Sequence, residues 1–376
     1  MKKQLITLAT ATAMTAPAAV LADSHDSHSP EIYGQVHMSM NHIDNDDTEG
    51  EDSALNISSN SSRFGIRGSE EIQPGLTGIY QLELGVHWGG QGSDKTSTTG
   101  DDSIWRQVRD SYVGLEGDFG TLRAGRLPAA NQYIYDANFF INTIGDPGGL
   151  TGFDIAGNAG IGGRYSSAVQ YTAPMVGPLG ASVTVAPSNN GADEHSMILR
   201  GTYEEGPFFG AVNYISKPDA TVEDPEDDDI TSQHDLQFLV LSGGYEQNGL
   251  RVAGLYGLVL DDDDLTDGAP EIDGEDSFFS LGASFDITAQ GTVKGQYTAY
   301  MADEGSEGDS NLFAIGYDHA LSDRTTAYAV YAHMDNDEMA SRGVDGYGHG
   351  GGPDDLAGPN NDADPNAFSV GVTHNF

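Results

Sequence analysis

The chain has 376 residues, 38% of them hydrophobic, with 50 Gly, no Cys and a formal net charge of −42. Without Cys there is no disulfide framework, and with so few cations to neutralise phosphates a nucleic-acid partner is excluded. The apolar fraction is low for a large soluble core, but it suits a closed sheet with a polar interior, in which only every second strand residue need be apolar.

The chain opens MKKQLITLATATAMTAPAAVLA. Lys2 and Lys3 form a short basic region, Leu5 to Leu21 is uncharged, and small residues surround Ala22. This is the pattern of a secretory signal peptide over 1–22, leaving 23–376 as one domain. His25 and His28 in DSHDSHSP read as part of a disordered mature N-terminus. No other stretch has the ~18 apolar residues of a spanning helix.

From residue 31 onward the pattern is period two. IYGQVHMSM (32–40) sets Ile32, Val36, Met38 and Met40 against Tyr33, Gln35, His37 and Ser39. LTGIYQLELGVHW (76–88) sets Tyr80, Leu82, Leu84 and Val86 against Gln81, Glu83 and His87, and VKGQYTAYM (293–301) repeats the alternation. Strands of this type are predicted near 31–40, 60–70, 76–88, 104–117, 120–127, 163–173, 179–187, 194–204, 207–216, 232–246, 249–260, 275–286, 291–302, 309–319, 324–335 and 366–376. Each is about the length a tilted strand needs to cross a bilayer. The connectors alternate as well. EEIQPG, EGDFG, PMVGPLG, EEGP, EQNG, DITAQG and ALSD are short. The long ones are the acidic blocks Asp44–Asp52, Glu223–Asp229 and Asp261–Asp276, read as solvated loops, with 128–162 and a Gly/Asp/Asn-rich stretch at 336–365. Short turns at one end and long loops at the other predict an all-β transmembrane barrel of sixteen antiparallel strands. A sheet in lipid has to close on itself, so the last strand is expected to pair with the first. Tyr33, Phe64, Trp88, Tyr112, Tyr171, Tyr203, Phe209 and Phe376 near strand ends are expected to form interfacial girdles. The competing fold is a soluble β-sandwich or an acidic, calcium-loaded surface protein.

SSRFGIRGSEEI (61–72), RDSYVGLEGDFGTLRAGR (109–126), GYDHALSDRTTAYAVYAHM (316–334) and AFSVGVTHNF (367–376) occur in that order along the chain. Together they resemble the general porins of Gram-negative outer membranes. The resemblance implies a homotrimer of sixteen-stranded barrels in the outer membrane, in contact with lipid and lipopolysaccharide. It also implies that Phe376 belongs to the signal read by the outer-membrane assembly machinery, and that the third long loop, about 128–162, folds into the pore. Phe139, Phe140, Ile141 and Ile144 in that loop agree, since an exposed loop has no need of them.

Guanidinium facing lipid is costly, so the strand arginines Arg63, Arg67, Arg109, Arg126 and Arg164 are expected to point into the lumen. Arg164 is expected to share a face with Ser166, Ala168 and Gln170, opposite Tyr165. By resemblance Arg63, Arg109 and Arg164 fall where the family has its wall of arginines. Carboxylates of the constriction loop are expected opposite them, with Asp136, Asp146 and Asp154 as candidates. The family's Pro-Glu-Phe-Gly-like stretch is replaced here by Asp146-Pro147-Gly148-Gly149, so which of the acids faces the wall stays open. Gln35 stands where the first strand often brings a base.

The expected function is passive diffusion of small hydrophilic solutes and ions through a water-filled channel, with cation preference from the acidic mouth. The alternatives are a substrate-specific anion channel and a calcium-dependent adhesin with a closed lumen. No nucleophile–base–acid set marks an enzyme. No cofactor is implied beyond weak Ca²⁺ binding by DPEDDD and DDDDLTDG, which have oxygen ligands but no full twelve-residue calcium loop.

Overall fold

The computed structural model describes residues 30–46, 53–87, 105–128, 132–151, 164–187, 195–224, 227–261, 276–302, 308–344 and 359–376. The expected signal peptide at 1–22 lies outside them. The alternating segments form β1 (Glu31–Asp44), β2 (Ser53–Ser59), β3 (Arg63–Gln73), β4 (Leu76–Val86), β5 (Trp105–Val108), β6 (Ser111–Gly117), β7 (Gly120–Pro128), β8 (Arg164–Thr172) and β9 (Leu179–Pro187). They continue as β10 (His195–Glu205), β11 (Phe208–Asp224), β12 (Asp227–Gln247), β13 (Leu250–Asp261), β14 (Ser277–Asp286), β15 (Gly291–Met301), β16 (Ser310–Ser322), β17 (Thr325–Asn336) and β18 (Asn366–Asn375). β2 and β3 both pair with β1, and β5 and β6 both pair with β4, so each couple is one barrel strand with a break. The result is a closed antiparallel barrel of sixteen strands.

Closure runs through β1 and β18, from Gln35 opposite Asn375 to Asp44 opposite Asn366. Beyond the strand, the Gly34 N–H donates to the Phe376 carbonyl and the Phe376 N–H donates to the Gly34 carbonyl, both at 3.1 Å. A side chain at Gly34 would meet the Phe376 ring at 2.4 Å and the Arg63 carbonyl at 2.6 Å, so glycine is required where the last ring lies down.

Large apolar side chains stand on the outer face: Leu55, Leu82, Val113, Leu241, Leu281 and Phe313 are all exposed. The inner face carries small and polar residues, together with large apolar ones where the inward loop packs against it. The seven short turns fall where the sequence places them. Three elements differ from expectation. Within the acidic block Glu223–Asp229, the described residues 223–224 and 227–229 are strand rather than loop, because the β11–β12 ladder continues to Asp224 opposite Asp227. β2, SALNISS, was not expected as strand. The strand predicted over 104–117 breaks at Arg109–Asp110, where the Arg109 N–H donates to the Glu83 carbonyl at 2.7 Å.

The core of the molecule is inside the barrel. The connection after β7 turns inward as α1 (Gln132–Ala137), and a 3-10 turn follows at Pro147–Gly149. Tyr133, Ile134, Phe139, Phe140, Ile144 and Leu150 are buried against the inner faces of β10 to β17, among them Ile215, Phe238, Leu255, Phe278 and Leu312. Burying each large apolar side chain contributes about 1.5–3 kcal/mol, enough to hold the segment against the wall. Its tip also touches the last long connection, where the Gly145 N–H donates to the Val344 carbonyl at 2.9 Å.

The girdle expectation is corrected in part. Phe64, Tyr171, Tyr203 and Phe376 stand on the outer face, and Phe64 packs edge-on to the exposed Trp105. Tyr33, Tyr112 and Phe209 turn inward instead. Tyr33 sits opposite Gly65 in the β1–β3 ladder, and its ring covers that glycine. Tyr112 lies under the Arg123 guanidinium and Phe209 under that of Arg251. Trp88 lies outside the described residues.

Candidate functional site

The narrow part of the barrel has two walls with the inward loop between them. On the wall of β3 to β8, Glu83 of β4 is 4% exposed and holds two guanidinium groups. The Arg109 Nε donates to Glu83 Oε1 at 2.6 Å, and the Arg63 Nε is 4.0 Å from Oε2. The Tyr33 hydroxyl also donates to Oε2, at 3.0 Å. The Arg164 Nε donates to Asp110 Oδ1. Asp110 is available because the strand breaks there. The Arg63 Nη1 is buried with no hydrogen-bond partner among the described residues. Tyr135 of α1 is within electrostatic reach of Arg63, Arg109 and Arg164, so the loop helix borders this group.

The other expected arginines do not join it. Arg67 is half-exposed, paired with Glu31 at 2.8 Å and stacked 4.9 Å over the Tyr33 ring. Arg126 sits at a β7–β8 bulge and donates to the Val108 carbonyl at 2.8 Å and to Ser166 Oγ at 2.7 Å. The same bulge corrects the expected face of β8. Ser167 has φ +58°, the register slips between Gly125 and Leu127, and Tyr165 packs inward with Leu127 and Ala168.

Among the described residues, neither Asp136 nor Asp146 forms a hydrogen bond or ion pair with the three-arginine group. Asp136 faces the opposite wall, where it accepts from Arg200 Nη2 at 2.8 Å and from Ser242 Oγ at 2.6 Å. Its backbone carbonyl accepts from Arg251 Nη2 at 2.8 Å. Asp146 serves its own loop: it accepts from Asn138 Nδ2 at 2.8 Å, the Asn142 N–H at 2.6 Å and the Gly148 N–H at 3.0 Å. Asp154 lies outside the described residues. The sequence reading therefore missed the partners the arginines have, Glu83 and Asp110, and the cations that anchor the loop. Those anchors are Arg200, Arg251 stacked over Phe139 at 5.1 Å, and Lys294 4.9 Å over Phe140. The signal was present at Glu83, a carboxylate on the polar face of a strand whose two neighbours both carry arginine.

Six of the interior cations share one regularity. Arg67, Arg109, Arg164, Arg200, Arg251 and Lys294 each stand beside a carboxylate: Glu31, Glu83, Asp110, Asp136, Glu246 and Asp318. At the end with the short turns, Glu70, Glu71, Glu116, Asp118, Glu204 and Glu205 are exposed.

A closed sixteen-stranded sheet with an apolar outer belt, a charged inner wall and a loop folded into its bore is an outer-membrane channel barrel rather than an enzyme. Residues 8–339 match the Gram-negative porin family, and the chain belongs to that family and to the outer membrane. It is 30% identical over 263 residues to the major outer membrane protein P.IB of Neisseria gonorrhoeae, covering 67% of this chain and 70% of that one. It is 27% identical over 359 residues to outer membrane porin protein 32 of Delftia acidovorans, covering 93% of both. Among solved structures, the anion-selective porin from Comamonas acidovorans superposes with a TM-score of 0.72 at 22% identity, covering 93% of this chain and 99% of that one. The trimer form of OmpT from Vibrio cholerae gives a TM-score of 0.66 at 16% identity, covering 93% of this chain and 99% of that one.

Proposed function

We propose that this porin is a passive diffusion channel for small hydrophilic solutes and ions that prefers cations, although a relative is anion-selective. The carrying observation is the pairing of six lumen cations with carboxylates. A cation with its own counter-ion attracts little anion. The acidic turns at one mouth and the acidic connections of the other then dominate the field that an approaching ion meets.

In this reading Arg63, Arg109 and Arg164 form the basic side of the eyelet and α1 with its flanking loop forms the other side. Arg67 and Arg126 flank it, and Asp136 and Asp146 act by holding the loop. The chain works as a homotrimer in lipid and lipopolysaccharide, as the trimer form of OmpT suggests for its fold. Residues 1–22 direct export, 23–376 form the single barrel domain, and Phe376 is read by the assembly machinery. The acidic connections bind Ca²⁺ weakly at most.

The test is single-channel current in a planar bilayer under a salt gradient. Steps in threes with a cation-directed reversal potential are expected. An anion-directed potential would overturn the cation preference and favour an anion channel built on Arg63. Silence from folded protein would overturn the channel reading in favour of a closed surface-binding barrel.

A further inference from the structure

Within the eyelet, three guanidinium groups (Arg63, Arg109 and Arg164) share two carboxylates, Glu83 and Asp110. The group is closed: Arg109 and Glu83 side chains are 7% and 6% exposed, and those of Arg164 and Asp110 are 12% and 18% exposed. Arg109 and Arg164 each have a short contact to one acid. Arg63 has only the longer 4.0 Å approach to Glu83, faces the like charge of Arg109, and keeps its Nη1 without a partner among the described residues. The surplus positive charge therefore resides on Arg63.

We propose that Glu83 and Asp110 are the residues that determine the ion selectivity of the eyelet, by reducing its charge from three positive to one and leaving that one on Arg63. This assignment rests on the diffusion-channel reading and adds residues to it. Its logic is charge counting. Glu83→Gln or Asp110→Asn raises the eyelet by one positive charge. Arg63→Gln lowers it by one. Glu83→Gln with Arg63→Gln restores the original count. One unit charge acting over an assumed distance of ~7 Å, in water-like dielectric and ~0.1 M salt, alters a cation-to-anion permeability ratio about two- to four-fold.

The experiment measures reversal potentials of the wild type, the three single variants and the double variant in planar bilayers, with folding of each checked by heat-modifiable mobility in detergent. Glu83→Gln and Asp110→Asn are expected to shift the ratio about two- to four-fold toward anions, Arg63→Gln by a similar factor toward cations, and the double variant is expected to match the wild type. A purely structural role for Glu83 would not be cancelled by removing Arg63. Asp110→Asn makes the same charge change at a separate pair, so the proposal stays exposed if Glu83→Gln does not fold. Conducting variants with unchanged ratios, or a double variant that departs from the wild type as far as the singles do, would overturn the assignment alone. A wild type that does not conduct would overturn the channel reading itself.

Discussion

At the scale of single residues, the chain uses glycine where two groups need the same space. Gly34 lets the Phe376 ring lie across the closing seam, and Gly65 lets Tyr33 lean over to reach Glu83. Gly34→Val would place a branched side chain against the Arg63 carbonyl, which cannot move without breaking the sheet. Overpacking of this kind costs about 1–3 kcal/mol. The expected outcome is a lower temperature for conversion of the folded form to the unfolded form on gels. An unchanged transition would show that both the ring and the strand at Arg63 yield to the added side chain. Alternation in the sequence indicates that Tyr33 and Gln35 share a face, but the preference of aromatic rings for membrane interfaces misled the reading of Tyr33, Tyr112 and Phe209. What decides their side is the glycine opposite or the guanidinium above, and neither is visible within one strand.

Among elements, the inward loop is held by two unlike fastenings. One is apolar, from Phe139 and Phe140. The other is ionic, from Asp136 to Arg200, whose side chains are each 11% exposed. Removing one partner of a buried pair costs about 3–5 kcal/mol. Asp136→Ala should therefore raise open-channel current noise and loosen residues 133–151, read by hydrogen exchange. A quiet channel with unchanged exchange would mean that the apolar fastening suffices. Asp146, outside the spanning strands, supplies a pH dependence. Burial pushes its carboxyl up to about 7, against three donated hydrogen bonds that favour the charge. A carboxyl raised above its unfolded value of ~3.9 contributes its full stability below that value and loses it as pH rises through the folded one. Protection of 138–148, corrected for intrinsic exchange rate, should be greater at pH 5 than at pH 8, and Asp146→Asn should flatten the difference. Protection that rises with pH would reverse the sign and sink the argument. That this loop turns inward was legible from its Phe-Phe-Ile. Its partners were not, because Arg200, Ser242, Arg251 and Lys294 come from strands later in the chain, and strand spacing does not reveal which ones face the loop. The two broken strands were hidden for a similar reason: a bulge shifts one residue and leaves the composition intact.

For the molecule as a whole, the barrel was legible because turn chemistry and alternation agree along the entire chain, whereas the electrostatic balance of the bore was not, since it depends on which side chains meet across strands. If selectivity comes from solvated mouth acids over a compensated bore, it should weaken with salt. Lowering ionic strength from 1 M to 0.01 M lengthens the screening distance from about 3 Å to about 30 Å. Cation preference should increase several-fold over that range, measured as the permeability ratio at a fixed gradient. A ratio independent of salt would place the selective charge inside the eyelet instead. The seam between first and last strands has a kinetic meaning as well. Gln35 and Asn375 touch although they are 340 residues apart in the chain. Closing so large a ring costs about 3 kcal/mol more in chain entropy than closing a ten-residue hairpin. Joining the two ends before the hairpins between them have formed is therefore disfavoured, and a barrel whose last strand is not yet paired is an open curl with two adhesive borders.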